Sequence, residues 1–105
     1  MKERTQRIGE QIRRRIHEVD PTARVILYGP RARGEEHSDS DWDILVLTQY
    51  PVGVAEERAF RDHLYEMELE VEEPFSLFVS SLEQWEEKQR ITPFYQSVKK
   101  EGIVL

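Results

Sequence analysis

The first twenty residues carry apolar side chains at regular intervals on a charged and polar background. The intervals are four, four and three residues, which place the apolar side chains on one face of a helix. These side chains belong to Ile8, Ile12, Ile16 and Val19. Thr5 is expected to cap the start of this helix. Asp20 is expected to end it, because a residue that precedes a proline avoids the helical conformation.

The same periodicity predicts a second long helix over about residues 54–70. Its apolar side chains lie four, three and four residues apart, at Phe60, Leu64, Met67 and Val71. Two shorter helices are predicted from their caps. Ser81 begins the first of them in a capping-box sequence. Thr92 and Pro93 begin the other, and Gly102 ends it.

Three segments are apolar at nearly every position, which is typical of strands that are covered on both faces. They span residues 24–28, 42–47 and 75–79, and residues 103–105 are interpreted as a last edge strand. A short helical turn is expected over residues 30–34. Strands that alternate with helices in this order predict the α/β class, with a small mixed β-sheet and helices packed on it.

Length and composition narrow the class of protein. The chain has 105 residues, which fits one domain over residues 1–105. The formal net charge of −6 argues against general binding to nucleic acid, which usually needs a basic surface. No apolar stretch approaches the length of a membrane span, and the first residues lack the apolar core of a signal peptide. There is no cysteine. We therefore expect a cytoplasmic protein.

Two carboxylates stand two positions apart at the start of the second strand. Side chains alternate across a strand, so Asp41 and Asp43 should project from the same face, with Trp42 turned the other way into the core. Neighbouring carboxylates repel each other unless a cation lies between them. Mg²⁺ commonly binds through one or two carboxylates together with substrate phosphates. The spacing therefore predicts a magnesium site, although two aspartates could also simply flank a turn.

A phosphate-binding bend is predicted next to these carboxylates. Gly29 follows the first strand, and glycine allows the backbone to approach a ligand closely. The helical turn after it would direct backbone N–H groups at an anion. Arg31 and Arg33 add guanidinium groups, which can bind phosphate through two hydrogen bonds. Alternatively, these arginines are solvated and pair with Glu35 and Glu36.

These residues together form a recognisable motif. Residues 29–34 read Gly-Pro-Arg-Ala-Arg-Gly, and residues 38–43 read Ser-Asp-Ser-Asp-Trp-Asp. The motif resembles that of the minimal nucleotidyltransferases, part of the DNA polymerase β-like superfamily. The family pattern runs from a hydrophobic strand through Gly-Ser, Arg-Gly and a polar loop to Ser-Asp-x-Asp and a second hydrophobic strand. The predicted order of helices and strands extends the resemblance to most of the chain.

The resemblance implies a nucleotidyltransferase fold and a reaction. A nucleoside monophosphate would pass from a nucleoside triphosphate, with ATP favoured, to a protein or small-molecule acceptor, with Mg²⁺ as cofactor. Asp41 and Asp43 would be the catalytic, metal-binding residues. The residues expected to bind the nucleotide are Gly29, Pro30, Arg31, Arg33 and Ser40.

The resemblance also implies a partner. Many domains of this family pair with a separate helical protein of the HEPN type, and some act as antitoxins by adenylylating it. Larger nucleotidyltransferases hold the acceptor with an added domain. Here the acceptor surface would come from the chain itself, from a second copy in a homo-oligomer, or from a partner protein.

Two departures from the family pattern leave a second function open. The family serine after Gly29 is Pro30, which supplies neither a hydroxyl nor a backbone N–H. Active members usually carry a third carboxylate on the next core strand, where this chain has Ser76. One of the glutamates before that strand could replace it; these are Glu70, Glu72 and Glu73. The alternative is a nucleotide-binding or protein-docking module that lacks transferase activity.

Overall fold

The computed structural model describes residues 2–105, and its helices and strands follow the predicted order. The helices are α1 (Glu3–Val19), α2 (Pro30–Arg33), α3 (Val54–Val71), α4 (Leu82–Glu87) and α5 (Pro93–Glu101). The strands are β1 (Arg24–Tyr28), β2 (Trp42–Thr48), β3 (Phe75–Ser81) and β4 (Ile103–Val104). Within the described residues, no helix combines the length and the apolar character needed to cross a membrane.

The strands form one mixed sheet in the order β3-β2-β1-β4. The central pair, β1 and β2, is antiparallel, and β4 is antiparallel to β1. β3 runs parallel to β2, because the long helix α3 returns the chain to the same end of the sheet before β3 begins. The predicted α/β class and the mixed sheet are confirmed.

The larger core lies between the sheet and the two long helices. Each long helix contributes the apolar stripe that its periodicity predicted, and β1 and β2 contribute alternate residues. The buried members are Ile8, Ile12, Ile16, Ala23, Val25, Leu27, Trp42, Ile44, Val46, Phe60, Leu64 and Met67. Because the strands alternate, their remaining side chains are turned to the opposite face.

The opposite face of the sheet is covered by the two short helices. Its buried members are Leu45, Leu47, Trp85, Tyr95 and Val98. Phe94 links them to the strands, since its ring lies 5.3 Å from the ring centroids of both Tyr28 and Phe78. Burial on both faces explains why β1 and β2 read as continuous apolar runs rather than as alternating ones.

The clearest differences between the predicted and observed boundaries are at the start of α1 and at the end of β3. α1 begins at Glu3 rather than after Thr5, so the prediction of Thr5 as the N-cap is wrong. Thr5 is buried inside the helix, where its hydroxyl lies 3.5 Å from a carboxylate oxygen of Glu36. β3 continues two residues beyond the predicted end, to Ser81, which also caps α4 by accepting a hydrogen bond from the Gln84 N–H.

Candidate functional site

Gly29 and Asp43 are in direct contact where β1 ends and β2 begins. Gly29 has a φ of 77° and a ψ of −164°, a combination that is essentially restricted to glycine. A Cβ atom added to it would lie 3.1 Å from Cγ of Asp43 and closer still to one carboxylate oxygen. Pro30 then starts α2 at its first position. The backbone bend and the carboxylate therefore share one small region, as the sequence predicted.

The register of the sheet places three side chains in a row across this face. Tyr28 is the partner of Asp43 on β1, and Ser76 is its partner on β3. Trp42 is fully buried on the other face, as expected from alternation. Asp41 is exposed and lies one residue before β2. Ser76 therefore occupies the position beside Asp43 at which a third carboxylate was expected.

The surroundings of Asp43 disfavour its ionised form relative to an aspartate in water. Burial raises the pKa of Asp43 above its ordinary value, and the neighbouring Asp41 carboxylate raises it further, whereas Arg33 lowers it. Burial and the charge of Asp43 together raise the pKa of Tyr28 to about 12. A cation bound between the two aspartates would remove their mutual repulsion.

Asp43→Asn is expected to stabilise the metal-free protein at pH 7. A carboxyl group whose pKa is raised in the folded state destabilises the fold when ionised, and this cost disappears as the pH falls through the raised pKa toward 3.8. The gain should be about 0.5 kcal/mol, the size of a surface like-charge repulsion. Urea unfolding in EDTA at pH 7 and at lower pH measures it. Asp39→Asn, at an exposed position in the preceding loop, is the control and should give no gain. An equal gain in both variants would contradict the argument.

Arg33 and Glu101 complete the charged surroundings of Asp43. Arg33 is exposed and donates hydrogen bonds to Glu101 at 2.8 Å and to Glu35 at 3.2 Å. Glu101 also raises the pKa of Asp43. The sequence analysis missed Glu101. The signal that could have found it is the last strand, because β4 pairs with β1 and brings the end of α5 beside the bend at Gly29.

Arg31 lies on the other side of β2 from Asp43. It is buried, with only 4% of its surface exposed. Its guanidinium donates to the Ser40 carbonyl oxygen at 2.8 and 3.2 Å, pairs with Glu73, and lies 4.4 Å from the centroid of the Trp42 ring. The alternative that Arg31 is a solvated partner of Glu35 or Glu36 is therefore wrong, because burial among these groups removes it from solvent.

Ser40 is held in the same loop. Its hydroxyl accepts a hydrogen bond from the His37 N–H at 3.1 Å, and its own N–H donates to the His37 carbonyl at 2.9 Å. Ser40 and Arg31 thus fix the segment that carries Asp41. These contacts support a positioning role for both residues, and their contact with the nucleotide stays a prediction.

Two of the three glutamates before β3 are paired with arginines away from Ser76. Glu73 pairs with Arg4 and Arg31 on the Trp42 side of the sheet. Glu70 lies 3.7 Å from Arg15 of α1. Within residues 2–105, no group of three or more His, Asp or Glu side chains is placed to hold a metal ion. Two aspartates are nevertheless a donor set that fits Mg²⁺, since its other ligands are commonly water and substrate phosphate.

Comparison with known protein families identifies the family of this chain. A sequence model of the nucleotidyltransferase domain matches residues 10–104. The chain belongs to the nucleotidyltransferase domain family. The match includes the bend at Gly29, both aspartates and all four strands. The family resemblance predicted from the motif is therefore confirmed. No curated protein matches the chain at a significant level.

Solved structures show a similar fold. One is a toxin-antitoxin with AMP-PNP, which aligns with a TM-score of 0.68 and 18% identity over 91% of this chain and 70% of that one. Another is a mutant of the toxin-antitoxin MntA-HpeT in which two aspartates two positions apart are replaced by glutamate. It aligns with a TM-score of 0.61 and 15% identity over the same shares of the two chains. At these identities the similarity concerns the nucleotidyltransferase fold.

Proposed function

We propose that this nucleotidyltransferase domain binds Mg²⁺ and a nucleoside triphosphate at Asp41 and Asp43, and that it transfers the nucleoside monophosphate to an acceptor. The observation that carries the proposal is the contact between Gly29 and Asp43. A side chain at this bend would fill the space beside the carboxylate, so the glycine leaves the backbone open to a phosphate next to the metal ligands.

The residues around the bend would have different roles in binding. Asp41 and Asp43 would hold the cation, and Gly29 with Pro30 would form the wall that faces the triphosphate. Arg33 would bind phosphate oxygens, because its partners are the exposed Glu35 and the partly exposed Glu101, which an anion can displace. When bound, Mg²⁺ supplies charge neutralisation of the triphosphate. The oxygen of an acceptor hydroxyl would then form a bond to the α-phosphorus and lose its proton to water. The bond from the α-phosphorus to the bridging oxygen would break, and pyrophosphate would leave with its electrons.

The comparisons support ATP as the nucleotide and a protein as the acceptor. One structure of similar fold contains AMP-PNP, an analogue of ATP, and both are toxin-antitoxin structures. We therefore propose an antitoxin-like role beside a helical HEPN-type partner, whose hydroxyl group would accept the adenylyl group.

The second candidate function is nucleotide binding without transfer. It is favoured by the register of β3, which places Ser76 rather than a carboxylate beside Asp43. A serine hydroxyl is neutral at physiological pH, so it can neither act as a strong general base nor add charge to a metal site. In this case binding of ATP would regulate the docking of the partner.

Binding is tested by thermal unfolding with Mg²⁺ and ATP. At a ligand concentration about 100-fold above Kd, the wild-type protein should gain about 2.7 kcal/mol of stability. The double variant Asp41→Asn with Asp43→Asn should show no gain, because it retains no carboxylate ligand. The control is Asp39→Asn with Asp62→Asn, which removes the same charge from two exposed positions. An undiminished gain in the Asp41/Asp43 variant would refute the metal assignment.

Release of pyrophosphate distinguishes the two candidates once binding has been shown. The wild-type protein is incubated with Mg²⁺, labelled ATP and the protein encoded next to it. Transfer predicts labelled partner and an equal amount of pyrophosphate. Binding without transfer predicts a thermal shift with neither product.

A further inference from the structure

β3 leaves one side of its backbone open at the edge of the sheet. It pairs only with β2, and within residues 2–105 no other strand pairs with it. The Trp42 N–H donates to the Pro74 carbonyl oxygen at 2.9 Å, which fixes the phase of the parallel ladder. With this alternation, the backbone groups of Ser76 and Phe78 form hydrogen bonds to β2. Leu77 and Val79 direct their N–H and carbonyl groups away from β2.

One side chain confirms this outward direction. The N–H of Phe75 has the same phase as those of Leu77 and Val79, and it donates to a carboxylate oxygen of Glu68 at 2.9 Å. Glu68 therefore occupies the first outward position of the edge. The next two outward-facing residues, Leu77 and Val79, present two backbone N–H donors and two carbonyl acceptors in the geometry that a further strand requires.

The sequence of β3 lacks the features that normally protect an edge strand. Natural edge strands carry charged residues or proline, or they are very short. β3 spans seven residues, Phe75–Ser81, and none of them is charged or a proline. Phe78 is 36% exposed on one face. An edge of this kind favours the addition of a strand from another chain.

The surroundings of this edge are acidic at both ends. Glu72 is exposed three residues before β3 begins. At the other end a cavity of about 480 Å³ is lined by Ser81, Tyr50 and three glutamates of α4, namely Glu83, Glu86 and Glu87. Within the described part of the chain, no basic nitrogen lies within 4 Å of the carboxylates of Glu72, Glu83 or Glu87. These three carboxylates therefore have no ion-pair partner among the described residues.

The negative charge near the β3 edge favours a basic partner segment over a second copy of the chain. In a symmetric dimer two copies of β3 would pair antiparallel, which brings Glu72 of one copy toward Glu83 and Glu87 of the other. Like charges opposed across strands are destabilising. A segment with lysine or arginine at its ends would instead be attracted at both ends of β3.

We infer that the β3 edge is the docking surface for an extended, basic segment of a partner protein. The segment adds as a fifth strand through the outward backbone groups of Leu77 and Val79, and it places a basic side chain in the cavity lined by Glu83, Glu86 and Glu87. The cavity is separate from the proposed nucleotide site, because it lies at the carboxyl end of β2 and Asp43 lies at its start.

The test uses a synthetic peptide of alternating valine and threonine with two lysines at each end. A second peptide has glutamate in place of every lysine. Binding to the full chain, without nucleotide, is followed by amide chemical shifts. The lysine peptide should perturb the amides of Leu77 and Val79, and the glutamate peptide should bind at least about tenfold more weakly.

Two variants and one control locate the contact. Leu77→Pro removes an outward N–H but no bond to β2, and Glu83→Lys with Glu87→Lys reverses charge on the exposed side of α4. Each should raise the Kd of the lysine peptide about tenfold or more. Glu10→Lys with Glu18→Lys makes the same charge change on α1 and should leave the Kd unchanged.

Three results would overturn the inference. The first is the absence of shifts at Leu77 and Val79 with the lysine peptide. The second is equal binding by the wild type and by the Glu83/Glu87 variant, which keeps the β3 backbone and remains informative if Leu77→Pro unfolds. The third is a wild-type dimer in sedimentation that Leu77→Pro converts to a monomer, because the occupant would then be a second copy.

Discussion

Arg31→Ala is expected to destabilise the protein by about 3 kcal/mol, at the lower end of the cost of removing one partner from a buried ion pair. The guanidinium is buried and supplies both hydrogen bonds to the Ser40 carbonyl oxygen. Its removal leaves that carbonyl unsatisfied and removes a cation from the face of Trp42. The cost stays near the lower limit because Glu73 retains its pair with Arg4. The midpoint of urea unfolding measures the effect.

Arg33→Ala is the matched control for this prediction. Arg33 belongs to the same short helix, but it is exposed, and its partners are the exposed Glu35 and the partly exposed Glu101. Exposed ion pairs typically contribute about 0.2–1 kcal/mol each, so the loss should be small. Arg31→Lys should fall between the two, because lysine keeps the charge but cannot make the paired hydrogen bonds. Equal losses in the two alanine variants would contradict a positioning role for Arg31.

The long elements could be predicted from sequence because their burial is periodic. The four apolar positions of α1 and the four of α3 each face the core, as their spacing indicated. The start of α1 could not be predicted in the same way. A threonine is a common N-cap, but Lys2 precedes the helix without a side-chain cap and Glu3 provides a favourable charge in the first turn. Thr5 contacts Glu36 in the tertiary structure and does not cap the helix.

The two parts of the candidate site differ in how far the sequence determined them. Asp43 and Trp42 face opposite sides because alternation along a strand is a local rule. The direction of the Arg31 side chain is not set by a local rule, since α2 has only four residues and no periodic face to orient it. Its contact with Glu73 joins residues 42 positions apart, which no spacing rule predicts. The parallel register that sets Ser76 beside Asp43 also depends on how α3 returns the chain, although the motif anticipated the pair.

Gly29→Ala is expected to cost about 3 kcal/mol and to abolish the stabilisation by Mg²⁺ and ATP. The backbone of Gly29 lies in a region that costs other residues about 1–3 kcal/mol. The added methyl group would also overlap the Asp43 carboxylate, so either the bend or β2 must move. Movement of Asp43 would separate it from Asp41 and from the open backbone, and the proposed metal site would lose its geometry. Thermal unfolding with and without the ligands measures both effects.

Gly34→Ala separates backbone strain from contact with the carboxylate. Gly34 also has a positive φ, 73°, but no atom lies within 4 Å of a Cβ added there. Its substitution should cost about 1–2 kcal/mol, the penalty for the left-handed conformation, and should preserve the shift caused by Mg²⁺ and ATP. The difference between the two glycine variants therefore isolates the contact between Gly29 and Asp43. A full ligand-induced shift in Gly29→Ala would show that binding does not need this contact, and the proposed site would then have to lie elsewhere on the fold.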